Sequence, residues 1–369
     1  MRLYWYWPFL RSEDIGLAEA VADDRLDRLV VHTLDRPGVP TASGNPRVTL
    51  RNDLPEISPA RPGTPRWVLD RTRVYRTRRR LRAAEIAGHP DLTHIWFLNR
   101  FTDAVDLPRL ARTGRVVVHV HDVRPHNRRL PDVVGDRLLR RMYTSGAHLT
   151  VHHEGLREML ATGFDIDPAR VDVVPHPVRS PVSPPPSPTE RGGDRVLVFG
   201  TLRHNKGIDV LLRAIDGSDP AVRWEVMGRG EPGLEAAVRR AAEANPSLSA
   251  TIGPIDEKAK AEAFDRCDLV VLPYTAFESQ SGVLHDAYAH HVPVVVTDVG
   301  ALGSTVHDDG TGEVIAPGDP EALRDIVAKL LTDAGRRDAM AGAAREIAAT
   351  RSPARVAERL HEVYGRLLG

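Results

Sequence analysis

The chain has 369 residues, with 50 basic and 50 acidic side chains and therefore no net charge. That length accommodates two or three domains with ample core, and 41% apolar with 27% charged residues is an ordinary globular balance. A single cysteine, Cys267, excludes an intramolecular disulfide, and no apolar run approaches membrane-spanning length, so a cytoplasmic protein in a reducing compartment is expected.

The first element is a strand. The apolar run in "MRLYWYWPFLRSED" is too short for a secretory signal and has the composition of a buried strand. Further strands are expected at Leu29–Leu34, Val48–Asn52, Thr93–Leu98, Val116–His121, Leu149–His153 and Val171–Pro175. Helices are expected between them, at Ile15–Ala22, Trp67–Ala87, Pro131–Tyr143 and Gly155–Gly163. Short apolar runs alternating with helical periodicity predict a mostly parallel sheet covered on both faces. Residues 1–180 carry 29 basic and 22 acidic side chains, and residues 181–369 carry 21 and 28. This +7 and −7 asymmetry fits a front half that meets an anionic partner, and scattered solvated charge fits it equally. No nucleic-acid partner is expected.

The stretch Arg66–Arg82 holds eight arginines and one acid, with Trp67, Val74 and Leu81 at seven-residue spacing. It reads either as a basic amphipathic helix able to dock on anionic lipid at the inner membrane surface, or as a solvated helix covering the sheet. Farther on, "VVVHVHDVRPHN" puts His119 and His121 on one face of a strand with Asp122 at its end. Two histidines at this spacing can be metal ligands, and they can equally be a core pair. No neighbouring residue in the sequence completes a ligand set, and neither a metal nor a cofactor is expected.

Five prolines in Arg179–Asp194 mark a stiff connector, which sets the expected boundaries: a first domain over 1–180, a linker over 181–194, a second domain over 195–350, and a closing helix over 351–369 that packs back on the first domain. A second strand–helix series begins at "RVLVFG". In "FGTLRHNKG" a strand ends at Gly200, a loop presents Arg203 and Lys206, and Gly207 precedes a helix. Glycine admits close backbone approach, and an ammonium with a guanidinium suits a diphosphate; a solvated turn is the plain alternative. Lysine is scarce, at positions 206, 258, 260 and 329 only. In "FESQSGVLHDAYAHHVPVVVTD", Ser281–Gly282 can open a helix with free N–H groups. Glu278 stands before it, and Asp286 lies off the apolar stripe. Carboxylates so placed can accept hydrogen bonds from sugar or ribose hydroxyls, or serve as a helix-capping acid and an exposed helix residue.

Taken in order over Val196–Asp333, these motifs resemble the donor domain of family-four retaining glycosyltransferases. Glu278, seven residues, Asp286 and Ala287, then "VPVVVTDVGAL", match the family's acidic signature and Pro-Val-Val run. "FGTLRHNKG" matches its diphosphate loop, and "DDGTGEVIAPGDPEAL" its closing segment. The resemblance implies the GT-B architecture, two doubly wound Rossmann-like domains facing across a cleft. It implies a UDP-, GDP- or dTDP-sugar donor, a hydroxyl acceptor, and transfer with retention that needs no metal. It assigns Glu278 to donor-sugar hydroxyls, Asp286 to the ribose, and Arg203 and Lys206 to the diphosphate beside Gly200, Ser281 and Gly282. On the acceptor side it places His121 near the reacting carbon, with Asp122 and His126 beside it. Two departures stand out: the second acid is Asp, one methylene shorter, and the position after the Gly-rich turn is Ser304. A nucleotide-sugar epimerase of the same fold and a non-catalytic nucleotide-sugar-binding homologue remain alternatives.

Overall fold

A computed structural model describes residues 1–11, 14–36, 38–55, 64–99, 102–124, 132–179, 181, 184–187, 191–277 and 281–369. The chain forms two compact units, Met1–Pro175 with Pro353–Gly369, and His176–Ser352. The division falls ahead of the Pro-rich stretch. The Val178 N–H donates to the Arg351 carbonyl at 2.8 Å, so the outgoing and returning chain are tied together inside the second unit.

In the first unit the strands are β1 (Arg2–Tyr6), β2 (Arg28–Leu34), β3 (Val48–Leu54), β4 (Leu92–Ile95), β5 (Val116–His119), β6 (His148–Val151) and β7 (Val171–Val173). They form one parallel sheet in the order β3-β2-β1-β4-β5-β6-β7. The connecting helices are α1 (Ile15–Val21), α2 (Pro65–Ala87), α3 (Asp103–Thr113), α4 (Asp132–Tyr143) and α5 (Glu154–Phe164). The second unit has β8 (Arg195–Phe199), β9 (Arg223–Gly228), β10 (Leu248–Ile252), β11 (Leu269–Leu272), β12 (Val294–Thr297) and β13 (Gly312–Ile315), parallel in the order β10-β9-β8-β11-β12-β13. Its helices are α6 (Ile208–Asp216), α7 (Pro232–Ala244), α8 (Glu257–Arg266), α9 (Gly282–Ala289), α10 (Leu302–Asp309), α11 (Pro320–Thr332) and α12 (Ala334–Thr350); α13 (Pro353–Leu368) closes the chain. Strands such as β5 (VVVH), β11 (LVVL) and β12 (VVVT) are buried at every residue. This is the pattern of parallel strands covered on both faces. Both units are thus doubly wound and Rossmann-like, as the sequence leads one to expect.

Helix α13 belongs to the first unit. Val356, Leu360, Val363 and Tyr364 enter the core formed by Leu3, Trp5, Leu17 and Val21. The Tyr364 hydroxyl stands 2.6 Å from Nδ1 of buried His94, and Arg359 and Arg366 pair with Asp172 at the edge strand.

Helix α3 is absent from the sequence expectation because Pro108 interrupts its helical pattern. Proline lacks the N–H that would bond the Ala104 carbonyl four residues back. Arg141 Nε takes that carbonyl at 2.7 Å, so the helix survives its proline. The helix opens on Asp103, which is fully buried and accepts from the Asn99 N–H (2.7 Å), the Thr102 hydroxyl (3.1 Å) and Arg82 Nη2 (2.6 Å). Burial alone would raise the Asp103 pKa, but Arg82 and Arg78 outweigh it and hold the carboxyl below its ordinary value.

The basic helix α2 therefore does not turn an apolar stripe inward in the simple way its heptad spacing suggests. Its buried face is Val74, Arg78 and Arg82, one turn apart, while Trp67 and Leu81 are half-buried and Val68 and Leu69 are exposed. Among the described residues no helix is long and apolar enough to cross a membrane. Removing one partner of a buried ion pair leaves a desolvated charge, at a cost of about 3–5 kcal/mol. Asp103→Ala should destabilise the protein by that order in urea denaturation, whereas Asp70→Ala, on the half-buried side of α2, should stay within about 1 kcal/mol.

Candidate active site

In the second unit β8 lies between β9 and β11. The chain leaving β8 runs toward β9 on one side, and the chain leaving β11 runs toward β12 on the other. Doubly wound sheets bind ligands where connections diverge in this way, at the carboxyl ends of the strands. The residues found there are Gly200 to Gly207 after β8 and Pro273 to Phe277 after β11, with the start of α9 beyond.

These two loops are locked together. His204–Lys206 forms one tight turn, and Gly207 follows with φ +69°, closing the turn and opening α6. A Cβ on Gly207 would lie 1.7 Å from the Pro273 carbonyl oxygen, so only glycine admits this approach. The Asn205 carbonyl accepts from Thr275 N–H at 3.0 Å, Asn205 Nδ2 donates to the Ala276 carbonyl at 3.2 Å, and the Thr275 hydroxyl donates to the His204 carbonyl at 3.3 Å. Lys206 is thereby carried to the β11 loop, its Nζ 3.6 Å from the Tyr274 ring centroid and 4.1 Å from that of Phe277. An ammonium on aromatic faces is attracted to the negative faces of the rings and loses much of its freedom. Tyr274 is itself fixed. Its hydroxyl meets Ser281 Oγ at 2.8 Å, its carbonyl accepts from the Thr297 hydroxyl at 2.6 Å, and burial pushes its phenol up to about 12, so it stays neutral.

The predicted donor-side residues fare differently. Gly200 ends β8 with φ +121° against Val283 of α9, and Arg203 is exposed at the start of the turn. The Ser281 hydroxyl is buried on Tyr274 and does not cap α9, so Ser281 and Gly282 offer backbone rather than a side chain. Asp286 is not a lone acid: Lys260 of α8 bonds its Oδ1 at 2.9 Å, and only 11% of the lysine side chain is exposed. Sequence spacing misses this partner; the one available signal is that Lys260 is among just four lysines. Glu278 and His126 lie outside the described residues. Ser304 is exposed on α10, bonded to the Ala301 carbonyl.

In the first unit, His119 and His121 do share a face, and His152, the residue after β6, adds a third ring that sequence reasoning missed. His152 Nε2 stands 3.0 Å from His119 Nε2 and 3.0 Å from His121 Nδ1. His121 stacks on Phe97 at 4.2 Å, and burial lowers its pKa to about 4, which leaves it neutral near pH 7. Asp122 is half-buried beside it, and the Tyr143 hydroxyl steadies this loop by donating to the Val123 carbonyl at 2.9 Å. Phe97, His119, His121, Asp122 and Tyr143 line a cavity of about 100 Å³.

The lock between the loops has a measurable cost of disruption. Left-handed backbone costs a residue with a Cβ about 1–2 kcal/mol. Gly310 has the same conformation (φ +65°) with open space around it, so Gly310→Ala should lose only that much in urea denaturation. Gly207→Ala should lose clearly more, because the Pro273 carbonyl must also move.

Two family models match this chain: one described as glycosyltransferase family 4 over residues 17–180, the other as glycosyl transferases group 1 over residues 193–333. Among curated relatives, the chain is 32% identical over 206 residues to D-inositol 3-phosphate glycosyltransferase of Xylanimonas cellulosilytica, covering 50% of this chain and 48% of that one. It is 30% identical over 178 residues to phosphatidyl-myo-inositol mannosyltransferase of Mycobacterium leprae, covering 47% of each. The chain thus spans about half the length of these relatives; a second D-inositol 3-phosphate glycosyltransferase, from Thermomonospora curvata, matches at 28% over 77% of this chain and 73% of its own. Among solved structures, Anabaena HepE in complex with UDP superposes with a TM-score of 0.70 at 16% identity, covering 99% of this chain and all of that one. Sucrose-phosphate synthase from Thermosynechococcus elongatus gives 0.76 at 17% identity, covering 99% and 98%. The chain belongs to the family-four glycosyltransferases and has their GT-B fold.

Proposed function

We propose that this protein is a retaining glycosyltransferase that moves a sugar from a nucleotide-diphosphate donor to a hydroxyl acceptor. The observation that carries the reading is the locked pair of loops at the switch point of the second unit, which carries Lys206 onto Tyr274, the ring bonded to Ser281 at the start of α9, and leaves Arg203 exposed on the same turn. The HepE structures hold UDP and UDP-glucose, which favours a nucleotide sugar as donor. The relatives named for inositol phosphate and phosphatidyl-inositol favour a polyol or lipid-linked acceptor.

In this reading the sugar–phosphate bond breaks as the acceptor oxygen bonds the anomeric carbon from the same face. The acceptor proton passes to the departing diphosphate. Negative charge grows on that diphosphate, and Lys206, Arg203 and the backbone N–H groups near Ser281–Gly282 stabilise it without a metal ion. Glu278 would accept from the donor sugar. Asp286 would accept from the ribose through the carboxylate that Lys260 orients. His121, Asp122 and His126 are the acceptor-side groups, His121 being neutral and able to accept or donate one hydrogen bond.

Loss of one preorganised donor to a developing anion costs about 10²–10³ in turnover. Lys206→Ala and Arg203→Ala should each lower kcat by that order with a matching donor, chosen from UDP-, GDP- and dTDP-sugars by thermal shift. Wild-type turnover in both variants would overturn the assignment. Turnover of donor alone would identify an epimerase, and binding without turnover a non-catalytic homologue.

A peripheral membrane contact through α2 is a further part of the proposal. Exposed Val68 and Leu69 sit among exposed Arg66, Arg73, Arg76, Arg79 and Arg80. Apolar side chains ringed by arginine suit an anionic lipid surface. Sedimentation with phosphatidylglycerol vesicles at low salt should carry the protein down, and Leu69→Glu should release it; absence of binding removes the contact.

A further inference from the structure

We propose that His119, His121 and His152 form a binding site for one divalent transition-metal ion of the zinc class. It shares His121 with the acceptor side of the transfer reaction proposed above, and its test reads metal binding rather than turnover. Three imidazoles, His119 at the end of β5, His121 two residues on and His152 just after β6, bring one nitrogen each to within 4.8 Å of the others.

Proton bookkeeping favours a cation here. The Val174 carbonyl can only accept, so the 3.2 Å contact from His152 Nδ1 places the proton on Nδ1 and leaves Nε2 as a bare lone pair. That single lone pair is met at 3.0 Å by both His119 Nε2 and His121 Nδ1. If His119 donates to it, His121 Nδ1 presses on an acceptor already in use; if His121 donates, His119 does. A metal ion accepts all three lone pairs at once.

Two of the three rings have the outer contacts of metal-bound histidines. His152 Nδ1–H is held by the Val174 carbonyl, and His119 Nδ1 by the Thr150 hydroxyl at 2.9 Å. Partners of this kind fix the ring and its tautomer. His119 also stacks on Trp96 at 5.0 Å, and His121 on Phe97. Two nitrogens on one tetrahedral zinc stand about 3.3 Å apart, because each is about 2.0–2.1 Å from the metal. The two 3.0 Å pairs that His152 makes need open by only a few tenths of an ångström, and the remaining His119–His121 pair lies within 4.8 Å. The cavity of about 100 Å³ lined by His119, His121 and Asp122 supplies a fourth position for water. Three histidines with one open position form a well-attested zinc set.

The test is direct metal binding to chelator-treated full-length protein. Competition with a chromogenic chelator should show one Zn²⁺ per chain with a Kd of about 1 µM or tighter. Co²⁺ should give visible bands of a four- or five-coordinate site, displaced by Zn²⁺. His119→Ala and His152→Ala should each weaken binding by more than about 100-fold, beyond the about 10–100-fold that loss of an outer partner costs. His307→Ala, at an exposed position on α10, should leave it unchanged. If the variants misfold, the wild-type Co²⁺ spectrum and a zinc X-ray absorption shell of three imidazoles decide. Failure of wild-type protein to take up Zn²⁺, or wild-type affinity in both folded variants, overturns the site.

Discussion

The structure of the second unit depends on one close approach, that of Gly207 to the Pro273 carbonyl. A left-handed glycine lets the loop after β8 lie against the loop after β11, and every neighbouring contact follows from it. Asn205 can then span to Thr275 and Ala276, and Lys206 can reach the Tyr274 and Phe277 rings. Tyr274 is held in turn by Ser281 and Thr297, which lie on the start of α9 and on β12. One backbone conformation thus couples four elements at the switch point and sets a cation there.

The first unit is organised around rings rather than around a glycine. Trp5, Trp7, Trp96, His94 and His119 form a stacked and edge-on series at the carboxyl end of β1, β4 and β5. Burial holds His94 well below its ordinary pKa, so the ring stays neutral and bonds the Tyr364 hydroxyl of α13. The last helix of the chain therefore reaches the layer that supports His119 and His121. A second buried centre, Arg82 with Asp103 and Asp106, anchors α2 to α3 on the same sheet. The histidine and arginine at these core positions are paired through only part of their polar atoms: His94 Nδ1 meets Tyr364 and the Arg82 Nη atoms meet the two acids, while His94 Nε2 and Arg82 Nε are buried without a hydrogen-bond partner among the described residues.

Much of this was legible in the sequence, for identifiable reasons. Val-rich runs separated by helical periodicity announce covered parallel strands, and every strand expected in the first unit forms with ends shifted by a few residues. The order of motifs from Val196 to Asp333 announces the family. What the sequence hides is partnership across the fold. Nothing local to Asp286 points to Lys260, 26 residues earlier, and nothing in "HVHD" points to His152 just after the next strand. Helix α3 hides because Pro108 breaks its pattern, and only Arg141, on another helix, compensates. The heptad in α2 misleads because Arg78 and Arg82 are buried by acids contributed from α3, not by an apolar surface.

The central claim, that a nucleoside diphosphate is gripped where the loops after β8 and β11 meet, is tested most directly by a crystal structure with UDP, GDP or dTDP bound. The account requires the β-phosphate oxygens within hydrogen-bond distance, about 2.7–3.2 Å, of Lys206 Nζ and of the first N–H groups of α9. A nucleotide seated elsewhere in the chain, or Lys206 still resting on Tyr274 and Phe277 with the diphosphate out of reach, would contradict it.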